Sequence, residues 1–136
     1  MRKIAVDLGD VRIGLASSDI MGIIASGSET YVRKGGEEDY IYIANFAKNL
    51  QADTIVIGLP KNMDGTEGER ALLSREFGEK LKEYVDCKIV YEDERLTSKS
   101  AERMLISADV RRDKRKKVID KIAAAIILQS YLDKNR

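Results

Sequence analysis

Ile4-Ala5-Val6-Asp7-Leu8-Gly9-Asp10-Val11-Arg12-Ile13-Gly14-Leu15-Ala16-Ser17-Ser18-Asp19 is the stretch on which the fold turns. Its first residues are apolar or small, as in a strand covered on both faces, and the run closes on a carboxylate. A charge at the end of a buried strand must find water, a cation or a metal, because burying it alone is costly. Asp7 is therefore either a functional acid or an acceptor for backbone N–H groups in a turn. The glycines at 9 and 14 suit a tight reversal. Val11, Ile13 and Leu15 then alternate with other residues, so the chain returns antiparallel beside the first strand.

Outward from this hairpin, residues 22–32 alternate small, apolar and hydroxyl side chains and read as a third strand, broken by Arg33-Lys34-Gly35-Gly36. Glu37 to Leu50 reads as a helix with Ile41, Ala44, Phe46, Ala47 and Leu50 inward, acids at its start and Lys48 near its end, as the helix dipole prefers. Thr54 to Ile57 is a β-branched strand closed by Gly58-Leu59-Pro60, and a helix leading into it implies a crossover to parallel pairing. A second helix follows from Glu67 to about Val85, with Leu72, Leu73, Phe77 and Leu81 as its apolar face, and Cys87 to Tyr91 reads as a fifth strand. That strand ends in Glu92-Asp93-Glu94-Arg95, at the same kind of end as Asp7. Thr97 or Ser98 can cap a third helix through Leu105. Residues 109–115 have almost no apolar content, and the last helix runs from about Lys116 to Leu132 with Asp120 among its core residues. The layout is α/β: a five-stranded mixed sheet, three antiparallel strands then parallel additions, flanked by helices.

A length of 136 residues suits one domain, and 43% hydrophobic with 35% charged residues describes a globular chain. No apolar run approaches membrane-spanning length, and Met1-Arg2-Lys3 leads directly into a strand, so the expectation is a cytoplasmic protein without a membrane partner. Cys87 is the lone cysteine and histidine is absent, which excludes an internal disulfide, cysteine-cluster zinc sites and His-based triads. Chemistry must run on carboxylates, hydroxyls, Lys and Arg. Arg111, Arg112, Lys114, Arg115, Lys116 and Lys117 surround a single acid, a run that suits a polyanion and serves equally as a solvated face.

In such sheets, functional residues meet at the C-terminal ends of parallel strands, so Asp7 and the acids after Tyr91 can converge while Asp120 leans in from the last helix. Clustered carboxylates repel unless a divalent cation binds them, and hard oxygen ligands select Mg²⁺ or Mn²⁺. That suits metal-assisted phosphodiester hydrolysis. Two other classes compete. An actin- or sugar-kinase-like phosphotransferase uses the same Asp-x-Gly hairpin, but needs two such domains. A non-catalytic nucleic-acid- or ribosome-binding module would use the acids structurally and the basic run for affinity.

Four spaced blocks carry a resemblance to a known family: Asp7-Leu8-Gly9 with Arg12, Gly14, Ala16 and Ser18-Asp19; Ile57-Gly58-Leu59-Pro60-Lys61-Asn62-Met63-Asp64-Gly65-Thr66; Asp93-Glu94-Arg95-Leu96-Thr97-Ser98; and Arg115-Lys116-Lys117 with Ile119-Asp120-Lys121-Ile122-Ala123-Ala124. Nearly the whole chain resembles the YqgF family, also called the RuvX or Holliday-junction resolvase family, whose members are associated with maturation of the 16S ribosomal RNA precursor. The resemblance implies one ribonuclease H-like nuclease domain over residues 1–136 and a cofactor of Mg²⁺ or Mn²⁺. Its implied ligands are Asp7, Glu94 and Asp120, with Asp93 in reserve. The implied activity is 5′ processing of pre-16S ribosomal RNA, with Holliday-junction resolution as the alternative and ribosomal precursor particles as partners of a monomer or weak homodimer. Arg12 orients a carboxylate or binds phosphate. Lys61, Asn62, Thr66, Arg95 and the run Arg111 to Lys117 are the candidates for nucleic-acid contact. Many relatives of that fold carry an acid on the fourth strand, where this chain has Gly58-Leu59-Pro60, so Glu94 has to substitute from the fifth.

Overall fold

The computed structural model describes residues 1–94 and 112–135. The expected helix from Thr97 or Ser98 to Leu105, together with Arg95 and Arg111, lies outside these residues, as do the side chains of residues 112–118. The elements in chain order are β1 (Arg2–Leu8), β2 (Arg12–Ser18), β3 (Ala25–Val32), α1 (Glu37–Asn49), β4 (Ala52–Leu59), α2 (Glu69–Leu81), β5 (Lys88–Asp93) and α3 (Arg112–Lys134). They build one five-stranded sheet in the order β3-β2-β1-β4-β5. β1–β2 and β2–β3 pair antiparallel, while β1–β4 and β4–β5 pair parallel, as the hairpin glycines and the crossover helices require.

Alternation along the strands divides the core between two faces. Ile4, Val6, Ile13, Leu15, Ile55 and Ile57 pack toward α1 and α2, whereas Ala5, Ala16 and Val56 pack toward α3. The α3 face is the thinner one, because glycines let that helix come close. A Cβ on Gly14 would overlap the backbone carbonyl of Asp120, and one on Gly27 would stand 2.9 Å from the carbonyl oxygen of Lys121.

Several boundaries differ from the expected ones. β5 runs two residues past Tyr91, so Glu92 and Asp93 belong to the strand, and Glu94 N–H donates to the Leu59 carbonyl at 3.0 Å to extend the pairing. α3 begins at Arg112 rather than about Lys116, since Lys and Arg are good helix formers that need no apolar neighbour to continue a helix. Leu72 and Leu73 are exposed. α2 instead buries Ala71, Ser74, Phe77, Gly78 and Leu81, because at Gly78 it approaches the sheet too closely for a side chain: a Cβ there would be 2.5 Å from the Tyr91 hydroxyl. In α1, Ile41 is likewise exposed, and Asp39, Ile43 and Ala47 face inward.

Candidate active site

Asp7 lies near the C-terminal end of β1, in register with Gly14 of β2. By alternation its carboxyl turns to the α3 side of the sheet, like the side chain of Ala5 two residues before it. Glu94 reaches the same side from the end of β5, in step with Glu92, whose carboxylate accepts from Ser130 Oγ at 2.8 Å and Lys134 Nζ at 2.6 Å of α3. Between these strands lies Gly58. A Cβ there would meet Glu94 Cδ at 2.8 Å and Oε2 at 2.9 Å, so the side chain missing from β4 makes the space that the Glu94 carboxyl fills. The Glu94 carboxyl of the fifth strand thus lies over the fourth, at Gly58.

Asp7 and Glu94 are hydrogen-bonded to each other. Burial pushes the Asp7 carboxyl up to about 6, opposed by the hydrogen bond from Glu94, reinforced by the charge of Asp120 and offset by Arg70. Burial, then the charge of Asp7 and the shared hydrogen bond, push Glu94 up to about 9. At neutral pH the pair therefore holds a proton, the expected state of two carboxyls in one poorly solvated place. Asp120 arrives from α3, positioned by the backbone contact over Gly14, and its Oδ2 accepts from Arg12 Nε at 2.8 Å. Arg12 is thus ion-paired with a carboxylate in a partly buried contact.

The chemistry of this donor set suits a hard cation: oxygen ligands only, two of them crowded and desolvated, with no cationic side chain in contact among the described residues. Among the described residues no three acidic or sulfur side chains are gathered tightly around one point, because Asp120 is engaged by Arg12. Asp93, the reserve acid, alternates to the α2 side of β5 and is set apart from the pair.

The segment after β4 stands at the same end of the sheet. Asn62 N–H bonds the Thr66 carbonyl at 2.8 Å, Asn62 Nδ2 bonds Thr66 Oγ1 at 3.0 Å, and Thr66 Oγ1 donates to Asp64 at 2.6 Å. Asn62 and Thr66 therefore close their own exposed loop, with Lys61 at its base. The sequence reading missed Arg70. It follows that loop in the first turn of α2, its charge acts on both Asp7 and Glu94, and a cation just after a strand-end loop was the available signal. Among the described residues no helix is long and apolar enough to cross a membrane.

Comparison with known proteins agrees with this geometry. The chain is 52% identical over 138 residues to a Halalkalibacterium halodurans protein named "Putative pre-16S rRNA nuclease", covering 100% of this chain and 99% of that one. A Geobacillus kaustophilus protein of the same name is 50% identical over 143 residues, with both chains fully covered. Two solved structures share the fold. The fowlpox virus Holliday junction resolvase superposes with a TM-score of 0.58 at 14% identity, covering 98% of this chain and 99% of that one. Thermus thermophilus RuvC in complex with a Holliday junction substrate gives 0.60 at 11% identity, covering 99% and 95%. The sheet is accordingly ribonuclease H-like. With the RuvX family model, described as Holliday junction resolvase, matching residues 1–134, the chain belongs to the RuvX family.

Proposed function

We propose that this chain is a divalent-cation-dependent nuclease that hydrolyses phosphodiester bonds in structured RNA, in 5′ processing of pre-16S ribosomal RNA, with Asp7, Glu94 and Asp120 as its working acids. One observation carries the reading: the Glu94 carboxyl fills the space left by Gly58 on the side of the sheet to which Asp7 turns, with Asp120 held by Arg12 on the helix that covers that side. Asp7 and Glu94 would hold Mg²⁺ or Mn²⁺, and Asp120 would complete the set. The bound cation supplies Lewis acidity toward the scissile phosphate. To ligate the cation, Glu94 would have to release its proton to solvent. Arg12 keeps Asp120 directed at the pair, and Arg70 draws the phosphate toward it. The helical turn from Arg112 to Lys117, on the same helix as Asp120, supplies backbone-phosphate affinity, joined by Arg95, Arg111 and Lys61.

The RNA substrate follows the names of the relatives, and the ribosomal precursor particle would be the physiological partner of a cytoplasmic monomer or weak homodimer. The family description favours four-way DNA junctions as the second reading. Incubating the protein with labelled pre-16S fragments and with four-way junctions, with and without Mn²⁺, separates the two. Cleavage of RNA alone supports the first reading and of junctions alone the second. Cleavage of neither, with Mn²⁺ present, overturns both.

A further inference from the structure

A cleft opens between the β1–β2 turn and α2, on the side of the sheet away from α3, and we infer that it takes one nucleotide unit of the substrate strand next to the scissile phosphate. This rests on the nuclease reading above. The cleft starts where the acids end: Leu8, Gly9 and Asp10 follow Asp7 directly and line it. Arg70, whose charge acts on both Asp7 and Glu94, lines it too, so one cation serves both the acids and the cleft.

Its volume of about 390 Å³ is in the range of small-ligand sites. Leu8 and Leu73 offer apolar faces to a base, and Leu73 stands 47% exposed. Ser74 is the telling residue. It lines the cleft at 2% exposure, yet its hydroxyl has no hydrogen-bond partner among the described residues. A buried hydroxyl left unpaired is costly, and a sugar hydroxyl or phosphate oxygen would satisfy it.

The charges define the ligand further. Arg33 donates to the Gly9 carbonyl at 2.9 Å and pairs with Asp39, and Lys80 is held by Glu83 at 2.9 Å. Among the described residues Arg70 touches only Asp10, at a loose 3.7 Å between two exposed groups, and is the cleft cation free to take a phosphate. Asp10 and Glu76 also line the cleft. Two acids beside one available arginine tolerate a singly charged phosphodiester better than a doubly charged free phosphate, which fits an internal nucleotide.

The test is an amide-shift NMR titration of the metal-free full chain with a dinucleoside monophosphate and with inorganic phosphate, repeated on Leu73→Glu and Ser74→Ala, whose fold is checked by melting temperature. The diester should shift Gly9, Leu73 and Ser74 saturably and bind more tightly than phosphate. Its Kd should rise about tenfold in Leu73→Glu and about threefold in Ser74→Ala, and Leu73→Glu should raise KM for a long RNA substrate. Absence of shifts at millimolar diester, or one Kd for all three proteins, overturns the cleft assignment even if RNA is cleaved. Failure of the wild-type chain to cleave in Mn²⁺ overturns the nuclease reading while the titration still reports on the cleft.

Discussion

The Asp7–Glu94 pair costs the metal-free fold stability as pH rises. Both carboxyls titrate higher in the fold than in the unfolded chain, so between about pH 4 and pH 9 the folded state binds more protons, and raising pH through that window destabilises the metal-free protein. Asp7→Asn removes one member at nearly constant volume. It should abolish cleavage, raise metal-free stability at pH 8 by about 2–3 kcal/mol, and flatten the fall of melting temperature with pH. Unchanged turnover by the pure variant would remove Asp7 from the mechanism. Asp39 behaves oppositely. It is 1% exposed, and although burial works to raise its pKa, donors from Lys34 N, Tyr31, Arg33 and Gly35 N hold it below the usual range. Its contribution is present above the unfolded pKa and lost as pH falls through the lower folded value. Asp39→Ala strands those donors and should cost about 2–3 kcal/mol, read by urea denaturation at pH 7 against pH 3. Asp7 was legible in the sequence because it closes an apolar strand. Asp39 was not: a carboxylate in the first turn of a helix reads as a dipole partner, and only the folded loop from Arg33 to Gly36 shows what it binds.

At the level of elements, glycines decide how close each helix comes. Gly14 admits the Asp120 backbone directly over the residue paired with Asp7. Gly14→Ala should therefore push α3 outward, destabilise the fold by about 1–3 kcal/mol, and lower activity more than stability explains, a difference visible by assaying well below the melting temperature. Gly58 and Glu94 are complementary in the same way. Gly58→Ala should displace the Glu94 carboxyl and weaken Mn²⁺ binding measured by calorimetry; unchanged affinity would detach this glycine from the site. Strand order and helix order could be read from period and turn residues, because β-branched runs and glycine breaks are local signals. The inward faces of α1 and α2 could be read in part: Ala47, Phe77 and Leu81 are buried as their spacing implies, whereas Ile41, Leu72 and Leu73 are exposed. The close approach of α2 to the sheet at Gly78 is written in no local pattern.

Over the whole molecule, the basic run from Arg112 to Lys117 belongs to the same helix as Asp120. Replacing Arg112, Lys114 and Arg115 by Ala should weaken binding of all sequences alike, with the salt slope falling by about one for each phosphate left unneutralised; an unchanged slope would place the binding surface elsewhere. The mixed sheet could be inferred from the strand and turn signals, and the four motif blocks pointed to the acids of β1, β5 and α3 as the candidates proposed above. The proton sharing between Asp7 and Glu94 and the hold of Arg12 on Asp120 depend on residues far apart in the chain, which sequence spacing does not encode.

That separation has a consequence in time. Arg12 and Asp120 lie 108 residues apart, and the apolar face of Ala5, Ala16 and Val56 stays open until α3 covers it. During synthesis the first strands emerge long before Asp120, so the hairpin bearing Asp7 and Arg12 is made without the carboxylate that Arg12 holds. A nascent chain that has not yet released α3 therefore lacks both that partner and the cover over Ala5, Ala16 and Val56. One late helix completes the Arg12–Asp120 pair and the second face of the core in the same step.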